Sequence, residues 1–121
     1  MAPCKLTFIT IDQQKFVFLF KSGDDLRQDQ MVLEMFFLMD RLLKGVNQDY
    51  RLTPYKALAC SRSDGFVEFV PETRTFQDTN LKDYLMKLIE SNSMTVMENY
   101  VYSCAGYCAI TYFFGIGDRH L

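Results

Sequence analysis

Between Tyr100 and Gly117 the chain carries no charged residue. Such a stretch either crosses a membrane or packs its apolar side against the rest of a protein. A span needs about 17–25 apolar residues; this run sits at the short limit and is interrupted by Ser103, Gly106, Thr111 and several tyrosines. The expectation is therefore a buried core helix. Thr95 and Glu98 have the spacing of a capping box at its start, Met97, Tyr100, Val101, Cys104, Cys108 and Thr111 form its stripe, and Gly115 closes it. Directly beyond lies a dense polar cluster, Asp118, Arg119 and His120.

The rest of the chain has to supply what this helix packs on. At 121 residues, 49% hydrophobic and 23% charged, the composition excludes disorder and predicts one domain with one compact core. A net charge of −2 is too small to draw a nucleic-acid backbone or an anionic membrane by field alone, so no nucleic-acid partner is expected. Cys4, Cys60, Cys104 and Cys108 follow no secretory signal at Met1–Thr10, which favours a reducing compartment. Cys104 and Cys108 stack on one helical face twelve residues before His120, yet small buried thiols explain the cysteines better than a four-ligand zinc site.

The remaining elements follow from periodicity. Lys5–Ile11 alternates, Asp12–Gln14 turns and Lys15–Phe20 is a short apolar run, which together predict a β-hairpin. Asp25 and Gln28 have the spacing of a cap and its reciprocal partner. Met31, Met35, Leu38, Met39, Leu42 and Leu43 give the helix its face, and Gly45 supplies a stop. Leu52–Cys60 is extended through Pro54, Arg62–Gly65 turns, and Phe66–Val70 is a strand ended by Pro71: a second hairpin packed on the first. From Asn80 a helix with Leu81, Tyr84, Leu85, Leu88 and Ile89 on one side runs to a polar break at Ser91-Asn92-Ser93. The class is α+β.

Two groups of residues have chemistry to offer. Lys21 closes an apolar strand and is followed by Asp24, Asp25 and Asp29, so a strand-borne cation can be held by a carboxylate from the next loop or helix. A lysine fixed this way acts as a point charge for phosphate oxygens, although a solvated ion pair fits the same residues. Asp118, Arg119 and His120 combine an acceptor, a permanent cation and a side chain that titrates near neutrality. They suit acid/base work, or else a turn after a helix end.

Phe20-Lys21-Ser22-Gly23-Asp24-Asp25-Leu26-Arg27-Gln28-Asp29-Gln30, Leu52-Thr53-Pro54-Tyr55-Lys56, and Ser103-Cys104-Ala105-Gly106-Tyr107-Cys108 running to Gly117-Asp118-Arg119-His120-Leu121 resemble the phosphatidylinositol 3-kinase catalytic domain, most of all its class III branch. The resemblance implies a protein-kinase-like lipid-kinase fold: residues 1–70 as a partial N-lobe, an antiparallel sheet with one helix, with its hinge strand, and residues 71–121 as the start of a C-lobe, its first helices, ending inside the catalytic loop. It implies ATP-dependent phosphorylation of phosphatidylinositol at the 3-position. Lys21 then contacts ATP phosphates, with Asp24 and Asp29 lining the same pocket and one of them pairing with the lysine. Tyr55 lies at the inner end of the adenine pocket, and Glu68 to Val70 is the hinge, with Val70 acting through its main chain. Asp118, Arg119 and His120 form the catalytic loop, His120 assisting proton transfer or stabilising the transferring phosphoryl group. The cofactors implied are ATP and Mg2+ or Mn2+, whose expected ligands lie beyond Leu121, and the isolated chain is expected to be inactive. The complete family enzyme acts on phosphatidylinositol in a membrane, in the cytoplasm and peripherally on endosomal or autophagic membranes, with a regulatory protein-kinase-like subunit. Glu34 stands where the family usually has Gln, and Phe113-Phe114 replace smaller aliphatics. Alternatives are a phosphatidylinositol 4-kinase, a phosphatidylinositol-kinase-like protein kinase, or a non-catalytic binding protein derived from a kinase.

Overall fold

The structure, a computed structural model, describes residues 3–74 and 79–117, with residues 91–94 described as backbone. Instead of the single expected core there are two compact units, Met1–Leu38 with Pro54–Pro71, and Met39–Thr53 with Glu72–Leu121. Few of the described apolar residues are deeply buried. Leu26 and Phe36 are the buried hydrophobic residues of the first unit, Leu52 and Ile110 those of the second.

The first unit is built on an antiparallel sheet. β1 (Cys4–Ile9) and β2 (Lys15–Ser22) form the expected hairpin, with Cys4 opposite Phe20 and Ile9 opposite Lys15. Its turn is held by the Thr10 hydroxyl, which accepts from the Gln14 N–H at 3.1 Å, while Gln13 takes φ 64°. β3 (Ala57–Ala59) and β4 (Asp64–Glu68) form the second hairpin. It packs on the first edge to edge: β4 pairs with β2, giving the single antiparallel sheet expected, four strands in the order β1-β2-β4-β3. The joining has a backbone cause, since the free edge of β2 carries main-chain donors and acceptors that would otherwise lack partners.

Strand alternation and this register sort the side chains onto two faces. Leu6, Phe8, Phe16, Phe18, Phe20, Leu58 and Phe66 share one; Lys5, Thr7, Val17, Leu19, Lys21, Gly65 and Val67 share the other. On the first face the rings meet edge to face, Phe8 on Phe18 at 5.8 Å and Phe18 on Phe66 at 6.4 Å.

α1 (Arg27–Gly45) starts at Asp25, whose Oδ1 accepts the Arg27 N–H at 3.2 Å. The second group on this cap is the Arg27 guanidinium, at 2.6 Å from Oδ2, rather than the expected Gln28. Gly45 is the last helical residue and the chain leaves the helix through Asn47, at φ 59°. Asparagine tolerates the left-handed conformation, so glycine was not needed for the stop.

α2 (Leu81–Phe114) is one helix of 34 residues, capped by the Asn80 side chain, which accepts from the Lys82 and Asp83 N–H groups, and closed by Gly115 at φ 61°. The expected break at Ser91-Asn92-Ser93 is absent: these residues are only mediocre helix formers, and with no glycine or proline among them the hydrogen-bond ladder continues. The expected buried helix is also corrected. Within 100–117 only Gly106 and Ile110 are buried, whereas Tyr112 and Phe113 are 90% and 73% exposed. Among the described residues no helix is long and apolar enough to cross a membrane. Nor are the thiols buried: Cys4, Cys60 and Cys108 are exposed and Cys104 half-buried, all of them free.

The covered side of α2 meets the segment that precedes Pro54. The Thr53 N–H donates to the Tyr107 hydroxyl at 3.2 Å, and Arg51 lies over the Tyr102 ring with Glu98 at 3.4 Å. Gly106 allows this approach, because a Cβ there would lie 2.8 Å from Tyr50 Cβ and 2.9 Å from Leu52 Cδ2. Gly106→Ala is expected to destabilise the second unit by about 1–2 kcal/mol despite alanine's better helix propensity. Urea unfolding followed by circular dichroism checks this, and an unchanged midpoint would contradict the packing.

Candidate functional site

Lys21 leaves β2 on the face opposite the phenylalanines, directly across from Gly65 of β4. Its ammonium pairs with Asp24 Oδ2 at 3.4 Å. The turn between them depends on Gly23, at φ 95°, whose N–H donates to the Ser63 carbonyl at 2.7 Å. Asp64, in the same β3–β4 turn, is bonded by the hydroxyls of Ser22, Ser61 and Ser63, which hold its carboxyl below the usual carboxylate range. Main-chain and side-chain bonds thus anchor the loop that carries the ion pair. At 36% exposure the Lys21 side chain can still reach a ligand. The pair itself adds little stability, since exposed ion pairs contribute about 0–1 kcal/mol.

Of the acids that follow, Asp24 is the one on Lys21. Asp29 sits in the first turn of α1, and Asp25 is committed to Arg27. That guanidinium, together with the Arg27 N–H, lowers the Asp25 pKa to about 2. A carboxyl whose pKa is depressed on folding contributes stability above its unfolded value of 3.8 and loses it as pH falls through the folded one. The start of α1 is therefore expected to fray between about pH 4 and pH 2. Carbon-detected NMR titration checks it: a midpoint for Asp25 near 3.8 would exclude the arrangement.

Tyr55 follows Pro54 and is 40% exposed. Glu68 ends β4, its N–H donating to the Lys56 carbonyl at 2.8 Å and its Oε2 accepting the Lys56 N–H at 2.9 Å. The ladder runs on past it, because the Phe69 N–H donates to the Val17 carbonyl at 3.0 Å, and Val70 follows at 39% exposure. Lys21, Asp24, Asp29, Tyr55, Glu68 and Val70 all belong to the first unit. Asp118, Arg119 and His120 lie outside the described residues.

A cavity of about 450 Å³ in this unit is lined by Phe8, Phe18, Phe66 and Leu58 with Gln30, Glu34 and Lys56. It opens on the phenylalanine face, touches none of the predicted site residues, and is almost wholly apolar, so it is unsuited to phosphate. Two contacts near the site went unanticipated. The Gln30 side chain accepts the Ala59 N–H at 2.9 Å, tying the first turns of α1 to β3, and the Lys5 ammonium sits over the Phe69 ring. Both depend on strand register, which periodicity alone leaves open.

Among the described residues no group of three or more His, Cys, Asp or Glu could hold a metal ion. Lys21 offers an anchored, ligand-accessible ammonium close to a strand that continues past Glu68, and such an ammonium can act as a point charge for phosphate oxygens. Comparison gives the family. The model described as phosphatidylinositol 3- and 4-kinase matches residues 15–92 and 77–121. Phosphatidylinositol 3-kinase VPS34 of Saccharomyces cerevisiae is 43% identical over 100% of this chain and 15% of its own length. The root isoform of phosphatidylinositol 3-kinase from Glycine max and phosphatidylinositol 3-kinase VPS34 of Arabidopsis thaliana are each 44% identical, over 98% of this chain and 16% of their own. The chain belongs to the phosphatidylinositol 3- and 4-kinase family, and spans about 15% of the length of the curated relatives it matches.

Proposed function

We propose that this chain takes part in ATP-dependent phosphorylation of phosphatidylinositol at the 3-position, as the nucleotide-anchoring part of a class III enzyme. The observation that carries the reading is the Lys21–Asp24 pair at the end of β2, placed opposite Gly65 on the face that Lys5, Leu19 and Val67 share. The relatives, named as phosphatidylinositol 3-kinases, support the 3-position over the 4-position.

Lys21 is the cation that binds ATP phosphate oxygens, Asp24 tethers it, Asp29 lines the same pocket, Tyr55 closes the inner end of the adenine pocket, and main-chain groups of Glu68 and Val70 meet the base. In the reaction the bond from the γ-phosphorus to the β,γ-bridging oxygen breaks while the inositol 3-hydroxyl oxygen bonds to that phosphorus. The hydroxyl proton is assigned to His120, with Asp118 and Arg119 shaping the catalytic loop. Mg2+ or Mn2+, when bound, would supply positive charge to the phosphates, and its ligands would come from outside the described residues, which offer no cluster of three or more His, Cys, Asp or Glu. The setting proposed is the cytoplasmic surface of endosomal or autophagic membranes, with a regulatory protein-kinase-like subunit.

The test is transfer from radiolabelled ATP to phosphatidylinositol vesicles by the protein at its native length, with positional analysis of the product. The 3-phosphate is expected. The 4-phosphate would make it a 4-kinase, and nucleotide binding without transfer would make it a non-catalytic binding protein.

A further inference from the structure

We propose that Lys5 and Phe69 form a clamp that positions the nucleotide-reading segment Glu68–Val70, making both of them positioning residues of the site. The inference rests on the preceding reading of that segment.

The Lys5 ammonium lies 3.8 Å from the centroid of the Phe69 ring, well within the reach of a cation–π contact. Lys5 is opposite Leu19, and Phe69 is tied by its N–H to Val17, so the lysine reaches diagonally over β2 from the edge strand to the continuation of β4. One side chain thereby spans three neighbouring strands. By register Lys5, Leu19 and Lys21 share a face, and the ring under the ammonium is on it too. Among the described residues Lys5 has no carboxylate partner, which leaves the ring as its counterpart.

The contact lies where the strand passes into the segment. β4 ends at Glu68, and beyond it the main-chain bond from Phe69 to Val17 continues the ladder. β1 is an edge strand with no neighbour on its outer side among the described residues. A cation on the Phe69 ring ties the edge strand to the segment, and so helps to fix the direction in which the main chain of Glu68 and Val70 points. The clamp also keeps a positive charge on the face where phosphate charge is bound.

The experiment uses the protein at its native length, with two readouts: ATP-dependent lipid phosphorylation, and equilibrium binding of a fluorescent ATP analogue. Lys5→Met, which keeps the aliphatic stem, and Phe69→Leu are each expected to raise the KM for ATP and the Kd for the analogue roughly threefold to fivefold, the scale of one cation–π contact. The KM for the lipid is expected to change less than about twofold, because the lesion lies at the nucleotide. Lys5→Arg is expected to restore the wild-type values, and the double variant to be no worse than Phe69→Leu alone. Unchanged nucleotide values in Lys5→Met, failure of Lys5→Arg to restore them, a multiplicative double variant, or an equal change in the lipid KM would overturn the clamp while leaving the proposed function standing. A wild-type protein that binds no nucleotide would overturn the reading of the site and the clamp with it.

Discussion

Gly65→Ala is expected to cost about 3 kcal/mol and to lower the Tm of the first unit by about ten degrees or more. An added Cβ would lie 2.6 Å from the Leu58 carbonyl oxygen, 2.8 Å from Leu26 Cδ1 and 3.2 Å from Ala59 Cα. The nearest atom is backbone of the paired strand, so relief requires β3 to move away from β4 and not merely a change of rotamer. Leu26, 3% exposed, is pushed by the same carbon, and it stands between the Lys21 loop and α1. The control is Gly45→Ala, where nothing lies within 4 Å and the effect should be neutral or slightly stabilising. Thermal unfolding of the two variants side by side checks the pair, and equal stability would contradict the close strand approach at Gly65.

In the protein at its native length, and on the proposed function, Lys21→Met is expected to reduce ATP-dependent phosphorylation about a hundredfold or more while leaving the Tm nearly unchanged. The two effects separate because the ion pair with Asp24 is exposed and contributes little to folding, whereas a preorganised cation on transferring phosphate acts on the transition state. Asp24→Asn should be milder, since the ammonium survives and only its tether is lost. Steady-state kinetics combined with calorimetry distinguish the outcomes. A Lys21→Met protein that retains half its activity would remove the residue from the site.

How much of this was legible beforehand varied with the kind of information each feature needs. Alternation in Lys5–Ile11 and the apolar run to Phe20 sufficed for the first hairpin, because local periodicity is what a strand pair requires. The order of the strands in the sheet was hidden, because partner choice depends on which main-chain edge is free. Ser91-Asn92-Ser93 looked like a loop for its polarity, yet polarity alone does not interrupt a helix. The exposure of Tyr112 and Phe113 was missed for another reason: hydrophobicity tells which residues gain from burial, not how much covering surface the chain can offer. At the site, Lys21 and a holding acid could be read from spacing. The choice of Asp24 over Asp29 needed the turn at Gly23, and the approach of Lys5 to Phe69 needed register.

The unbroken course of α2 also has a consequence of scale. At about 1.5 Å per residue its 34 residues make a rod about 50 Å long. No single side chain or short loop reaches from one end of it to the other, so what is anchored near Gly106 is carried to the Asn80 cap only through the stiffness of the rod. The exposed rings of Tyr112 and Phe113 lie within its last turn, and polar replacements there are expected to leave the packing at Gly106 and Ile110 undisturbed.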